Sequence, residues 1–487
     1  QEHNFCPDAL NILPVTHAKG ALCPVQAAGK CNGTCHKDDG IAEQNIRIHA
    51  MASKLPVADW GKVHEVEITE TDELSGRSVI MRCAGGALEL PNGHWYFDNL
   101  LPEEQQRILL ARDAHIDSAD SFGLLAWYGH ESAGSLTLLP PGVAPLTAAS
   151  KHVLPAEALG NRIRQMPTIP LTHGAHKRMS LAGAQHKLAI LLEPAAPEPV
   201  LAHVTADAHP APIAVPADVL YEPAGAQPSS HILKPNHPHE DYPHSVINEW
   251  FVMRLARQLE LPVPDVQRRY LPAPVYLVQR FDRTHTAGGW QRLHAIDACQ
   301  LLGLDHLFKY SEGSMERLAE LAGHCRSPGI ARTQLYGWLL FNILTGNTDA
   351  HLKNLSFLVH PDGIRLAPFY DLLSVAAYET PAFGQSAWPR QTHLAWPILG
   401  KSFIHDIDRP LLLEAAAVLG LGRTAASQQL TQLCRNIVPA AESLYAETGA
   451  ENAQIVTPDL APTLAGELRT LRVIIHTIIR EMVQRLG

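Results

Sequence analysis

The chain has 487 residues, of which 46% are apolar and 18% charged. That is an ordinary globular balance, able to bury a large core, with room for several domains or a bilobal enzyme carrying an extra module. The formal net charge of -10 argues against non-specific nucleic-acid binding by the whole surface. No long apolar run marks a membrane-spanning helix and the start QEHNFCPDAL lacks a signal-peptide pattern, so the sequence predicts a cytoplasmic protein without membrane contact.

Eight cysteines are too sparse for a disulfide scaffold, which favours reduced thiols. Four of them, Cys6, Cys23, Cys31 and Cys35, fall at the start of the chain with His36 next to the last. Their gaps of sixteen, seven and three intervening residues do not make paired CxxC knuckles, so a Zn2+ site there is the weaker reading.

The first sixty or so residues show no sustained period before NIRIHAMASKL. KVHEVEITET and RSVIMRCAG alternate like strands, and GGALELPNGHWYF adds another around a Pro-Asn-Gly turn. FDNLLPEEQQRILLARDA predicts a helix with Pro102 near its start, and SADSFGLLAWYG a short one. Residues 130–175 read as loop. Ser180 to Gln185 then form a small-residue turn before an apolar strand that begins near Lys187. Such a turn lets backbone N–H groups approach a phosphate, although neither GxGxxG nor GxxxxGK[ST] is present.

The stretch from Glu193 to Ser230 is rich in Pro and Ala and reads as an inserted, partly extended excursion. HILKP follows as a strand that places Lys234 in apolar company, where it needs an anionic partner: a nucleotide phosphate or a carboxylate. The candidate carboxylate is Glu249, in the helix SVINEWFVMRLARQLEL, whose Val246, Trp250, Met253 and Phe251 suggest a core stripe. Pro262 and Pro264 stop that helix, and VYLVQRFDR is the next strand; a lobe boundary here would make Gln279 to Phe281 the hinge that reads adenine. Beyond it the chain turns helical, through AIDACQLLGL, SMERLAELAGH and TQLYGWLLFNIL to three closing helical segments.

Between those groups lies TGNTDAHLKNLSFLVHPDGIRLAPFYD, Thr345 to Asp371. Asp349 and Asn354 reproduce the D-x-x-x-x-N spacing of a protein-kinase catalytic loop, and the runs LSFLV and IRLAPF, joined by HPDG, read as a hairpin that returns Asp371 to the same edge. Phosphoryl transfer needs a carboxylate for the attacking hydroxyl and hard oxygen ligands for magnesium, which makes Asp349 the base and Asn354 and Asp371 the metal ligands. The plainer alternative is that Asn347, Asp349 and His351 cap and solvate a polar turn.

FDNLLPE, SLAGAQHK, HILKP, NEWF, QRFDR, DACQLLGL, NTDAHLKN and PFYDLLS, in this order, resemble the HipA family of bacterial serine/threonine kinases, the toxins of type II toxin–antitoxin pairs. The resemblance covers roughly residues 90 to 425 and implies an α+β, bilobal protein-kinase-like fold. The expected divisions are an unassigned segment 1–90, an N-terminal lobe 91–280 with the insertion 193–230, and a helical C-terminal lobe 281–487. The resemblance implies Asp349 as catalytic base and Asn354 and Asp371 as Mg2+ ligands. It further implies ATP contacts from the loop Ala182, Gly183, Ala184, Gln185, His186 and Lys187, from Lys234, from the hinge Gln279, Arg280 and Phe281, from His351, Leu352, Lys353 and Asn354, and from Tyr370 and Asp371. Ser180 matches a serine whose autophosphorylation ejects the phosphate loop. Family members pair with a small helix-turn-helix antitoxin, and some phosphorylate an aminoacyl-tRNA synthetase; the acidic net charge of this chain suggests that such a partner would supply most DNA contacts. Two other readings stay open: a lipid or small-molecule kinase, because Asp349, His351 and Asn354 also resemble a phosphoinositide-kinase loop, and a non-catalytic co-repressor of kinase shape.

Overall fold

A computed structural model describes residues 47–50, 63–72, 76–83 and 86–90 as backbone, and residues 94–140, 143–166, 168–193, 218–360, 362–455 and 457–487 with side chains. The cysteine and histidine group Cys6, Cys23, Cys31, Cys35 and His36 lies outside the described residues.

The first sheet has five antiparallel strands, in the order Gly86–Leu90, Gly76–Cys83, Val63–Asp72, Arg47–Ala50, Leu136–Leu139. HWYF does not extend its edge as the sequence suggested: His94–Asp98 is a helical turn, with Phe97 buried against Leu100, Leu101, Phe122 and Leu138. The next helix starts only at Glu104, because the Asn99 side chain donates back to the Trp95 carbonyl at 2.8 Å and across to the Leu304 carbonyl at 2.9 Å, holding the intervening chain in a turn.

The second sheet has six antiparallel strands, in the order Val266–Tyr270, Pro274–Gln279, His231–Pro235, Leu188–Glu193, Val219–Gly225, Ala149–Val153. Residues 130–175 are thus not simply loop: they supply Leu136–Leu139, Ala149–Val153 and the helix Ala156–Gln165. The exposed strand Ala149–Val153 shows no in/out alternation, which is why its sequence carries no strand signal. Within the Pro/Ala-rich stretch, Val219–Gly225 is a strand of the same sheet.

The third core is helical. The helix Ser245–Gln258 turns Val246, Trp250, Phe251 and Met253 into it, to meet Leu335, Phe341 and Leu344 of the helix Pro328–Thr345 and Ile437, Ile475 and Ile479 of the closing helices. Pro328 opens the long helix at a position where a missing N–H costs nothing, and Gly346 closes it in the left-handed region at φ 65°. A Cβ on Gly346 would meet Ile478 at 2.8 Å and Ala376 at 2.9 Å, so glycine serves both the turn and the close packing. That turn aims the following residues at the sheet. Among the described residues no helix is long and apolar enough to cross a membrane.

Candidate functional site

A cavity of about 640 Å³ lies between the six-stranded sheet and the helical core. Lys234, on the central strand His231–Pro235, projects into it and is buried. Its ammonium donates to Glu249 at 2.8 Å and is ion-paired with Asp371. Burial alone would favour the neutral amine, but Asp371 and Glu249 hold the ammonium charged above the usual lysine range. Glu249 carries the opposite balance: burial pushes its carboxyl up to about 7, and Lys234 only partly offsets this. Burial also works against the Asp371 carboxylate, yet Lys234 and Lys187 keep it at about 2.

The chain around Asp371 explains its position. It sits at φ 52°, a left-handed conformation that Asp tolerates better than most side chains, and its carbonyl accepts from the Asn347 side chain at 3.2 Å. Asn248 then exchanges two hydrogen bonds with the backbone of Ser374, at 2.9 and 2.8 Å, tying this segment to the helix that carries Glu249.

Asp349 follows from the long helix. Its carbonyl accepts from the Asn354 amide at 2.8 Å and from the His351 N–H at 2.8 Å, while its carboxylate accepts from the Tyr310 hydroxyl at 2.6 Å. The D-x-x-x-x-N spacing therefore closes a loop, with Asn354 bracing the backbone of Asp349. The Tyr370 hydroxyl caps the same loop at the Lys353 carbonyl, 2.7 Å away, and its ring stacks on Phe281 at 5.4 Å.

The loop Ser180 to Lys187 forms the opposite wall. Gly183 adopts φ 105°, and a Cβ there would lie 2.7 Å from the Lys187 ammonium, which donates to the Ala182 carbonyl at 2.5 Å. Burial and the nearby Lys234 depress Lys187 to about 8. The N-terminal segment pins this loop. Ser180 donates its N–H to the Glu131 carbonyl at 2.7 Å and its hydroxyl to the Leu100 carbonyl at 2.7 Å, and the Glu103 N–H donates to the Gly183 carbonyl at 3.3 Å.

Of the residues predicted from sequence, Ala182, Gly183, Ala184, Gln185, Lys187, Lys234, Gln279, Arg280, Phe281, Asp349, His351, Lys353, Asn354, Tyr370 and Asp371 line this cavity. Three do not. Leu352 is buried in the helical core, Ser180 is fully buried against Leu100, and His186 is buried outside the lining, held down to about 4 by that burial. Two more line the wall with their charges committed elsewhere. Lys353 donates to Asn99 and Asp297, and the Arg280 guanidinium donates to Asp282 at 2.7 Å and to the Ser132 carbonyl at 2.9 Å. At the hinge, the Gln279 and Arg280 N–H groups are taken by the Asp265 and Ser230 carbonyls, each at 2.9 Å. Those two donors are therefore engaged within the protein, whereas the sequence reading assigns adenine to the hinge backbone from Gln279 to Phe281 as a whole.

The sequence reading missed Asn99, Glu103, Asp297, Lys309 and Tyr310, all of which line the cavity. Asp98, Asp305 and His306 also gather closely enough for a cation, but Arg107 already supplies one, donating to the two Asp98 oxygens at 3.1 and 2.7 Å.

Comparison with known proteins decides the family. The HipA-like C-terminal domain matches residues 179–441, more than half of the chain, and the HipA N-terminal domain matches residues 69–139. This chain belongs to the HipA family. The serine/threonine-protein kinase toxin HipA of Shewanella oneidensis is 34% identical over 299 residues, 58% of this chain and 63% of that protein. The Sinorhizobium fredii protein Y4mE is 35% identical over 298 residues, 58% of this chain and 64% of its own length. The matched region thus spans just under two thirds of the length of these two curated relatives. A solved complex of S. oneidensis MR-1 HipA with HipB and operator DNA contains a chain that superposes at a TM-score of 0.64 and 25% identity, covering 90% of this chain and 99% of that one. The α+β, kinase-like architecture is that of HipA.

Proposed function

We propose that this chain is an ATP- and Mg2+-dependent serine/threonine protein kinase. The observation that carries the reading is the Lys234 ammonium, bridging Glu249 and Asp371 across the cavity that Asp349 and Asn354 line from the other side. A strand lysine held by a helix glutamate is how kinases present a charge to nucleotide phosphates. Asp349 is the base that accepts the proton of the acceptor hydroxyl. Asn354 turns its amide nitrogen to the Asp349 carbonyl, leaving its side-chain oxygen for a cation, and Asp371 offers a carboxylate. Both are hard oxygen donors of the kind Mg2+ takes, and these residues would hold the ion. When bound, Mg2+ offsets charge on the phosphates.

The loop Ala182 to Lys187 faces the phosphates in this reading, with Lys187 adding positive charge. Ser180 is the candidate self-phosphorylation site; its hydroxyl is fully buried against Leu100, so it has to leave that pocket before it can react. A phosphate there would set negative charge beside the site that holds ATP. As the S. oneidensis complex contains HipB and operator DNA, we assign this chain a DNA-binding antitoxin partner, with DNA contacted mainly through that partner, and a growth-inhibitory role through a protein substrate.

The test is transfer of labelled γ-phosphate to proteins of a bacterial lysate, with and without a chelator. Wild type should label protein only when Mg2+ is present, and Asp349→Asn should keep only a small residual rate. Transfer by Asp349→Asn at the wild-type rate would exclude Asp349 as base, and absence of Mg-ATP binding by the wild type would retire the kinase reading.

A further inference from the structure

We propose that Tyr310 is a positioning residue for catalysis, holding the Asp349 carboxylate in the orientation that receives the acceptor hydroxyl. The inference rests on the kinase reading above and goes beyond it, since neither the spacing of the catalytic loop nor the phosphate-binding residues involve Tyr310.

The geometry separates the backbone of Asp349 from its side chain. Asn347, His351 and Asn354 all contact the backbone of Asp349: the Asp349 N–H donates to the Asn347 side chain at 3.3 Å, and its carbonyl takes the other two. None of these fixes the carboxylate. Its side-chain hydrogen bond among the described residues comes from Tyr310, whose hydroxyl donates to Oδ1 at 2.6 Å. Oδ2 is left to the acceptor.

Tyr310 is itself held. Its ring stands edge-on to His351, with centroids 5.0 Å apart, and its carbonyl accepts from Gly313 at 3.1 Å. The neighbouring Lys309 donates from its ammonium to Glu103 at 2.5 Å, and its carbonyl accepts the Leu352 N–H at 3.1 Å. The segment carrying Tyr310 is thereby strapped both to the catalytic loop and to the N-terminal segment that pins the phosphate loop. Burial and the Asp349 charge push the phenol upward, so it remains a donor across the physiological range.

In the transfer step the acceptor oxygen bonds to the γ-phosphorus as the bond to the bridging oxygen breaks. ADP leaves, and the acceptor proton passes to Asp349. Tyr310 keeps its own proton throughout. Fixing the carboxylate before the acceptor arrives removes a rotational freedom that would otherwise be lost during the reaction.

Tyr310→Phe keeps the ring against His351 and removes only the hydroxyl. With the full chain, a protein acceptor and Mg-ATP, kcat should fall about tenfold, while the KM for ATP, nucleotide affinity and the thermal unfolding midpoint stay at wild-type values. In an Asp349→Asn background, Tyr310→Phe should add nothing, because the oriented carboxylate is already gone. An unchanged kcat in Tyr310→Phe overturns the proposal. So does a rise, which would show the hydroxyl occupying the acceptor's place, and so does a full additional loss in the Asp349→Asn background. Absence of transfer by the wild type overturns the kinase reading and this role together, whereas transfer by a wild type that is indifferent to Tyr310→Phe overturns this role alone.

Discussion

The Lys353 ammonium donates to Asn99 twice, to its carbonyl at 2.9 Å and to its side-chain oxygen at 2.8 Å, and also to Asp297 at 2.8 Å. Asn99 in turn donates to the Leu304 carbonyl at 2.9 Å. This lysine of the catalytic loop is therefore a bolt between the N-terminal segment and the helical lobe.

Lys353→Met should accordingly act on stability. Removing one partner from a buried pair leaves Asp297 and Asn99 without their cation, a loss of about 3 kcal/mol. Urea unfolding would measure it, and nucleotide affinity in the folded protein should change less than threefold. A tenfold loss of affinity at unchanged stability would return Lys353 to the phosphates.

Lys234→Met should do the reverse. It removes the ammonium that meets the phosphates in the proposed reaction and leaves Glu249 beside Asp371 with no charge between them. Glu249, already pushed up to about 7, should then take up a proton, which limits the cost to the fold. Calorimetry should show Mg-ATP affinity reduced more than tenfold, with Glu249→Gln intermediate because Asp371 still orients the lysine. Wild-type affinity in Lys234→Met would remove the central element of the proposed site.

How far the sequence discloses this site depends on whether a contact is local. Asp349 and Asn354 lie on one loop, so their spacing reports their contact. Lys234 and Glu249 sit on a strand and the next helix, each readable from its own pattern. Tyr310 and Asp349 are 39 positions apart, and Asn99 and Lys353 are 254 apart. Nothing local encodes either pair. That Leu352 leaves the cavity and the Lys353 ammonium turns to Asn99 has a different origin. The turn Leu352–Asn354 is a tight 3-10 helix, in which successive side chains point about 120° apart. His351 lines the cavity, Leu352 enters the core, and Lys353 turns to Asn99. A motif taken as a run of contacts cannot express that rotation. The helix at His94–Asp98 was hidden because HWYF carries strand-type residues, whose aromatic bulk here fills a separate core with Phe122.

Glu131 is the next test. It is fully buried, receiving Arg283 at 2.9 Å, Arg292 at 2.5 Å, Lys177 at 2.8 Å and the Ser229 hydroxyl at 2.7 Å. Burial opposes its charge, but Arg292, Lys177, Arg283 and Arg280 hold the carboxyl well below its ordinary range. Glu131→Gln would leave these four cations with Asp282 as the remaining acid in their cluster, and should cost about 3 to 5 kcal/mol. Since the Glu131 carbonyl also takes the Ser180 N–H, the phosphate loop should loosen early. Hydrogen exchange at Ser180 to Gly183 that is unchanged in this variant would separate the two effects.

Stability against pH gives the last prediction, and its sign comes from the buried histidines. Burial holds His186, His231 and His294 down to about 4. Once unfolded, each takes its proton near 6.5, so between pH 6.5 and about 4 the unfolded chain binds more protons than the folded one. Their contribution is complete above pH 6.5 and disappears as pH falls towards 4. Glu249 works in the other direction: folded at about 7 against an ordinary 4.5, it stabilises at low pH and loses that contribution as pH rises from 4.5 to 7. Burial raises Glu467 in the same direction as Glu249, but it also lowers His130, His237, His244, His351 and His360. The histidines outnumber the raised carboxyls, so urea midpoints should fall between pH 7 and 4.5. His294, whose ring nitrogen lies 3.2 Å from the Ser135 hydroxyl, gives the cleanest variant. His294→Gln keeps a polar partner for Ser135 and removes the titration, so stability should fall less steeply over this interval, by about 3 kcal/mol at most. A pH profile identical to wild type would show that His294 is not held neutral in the fold.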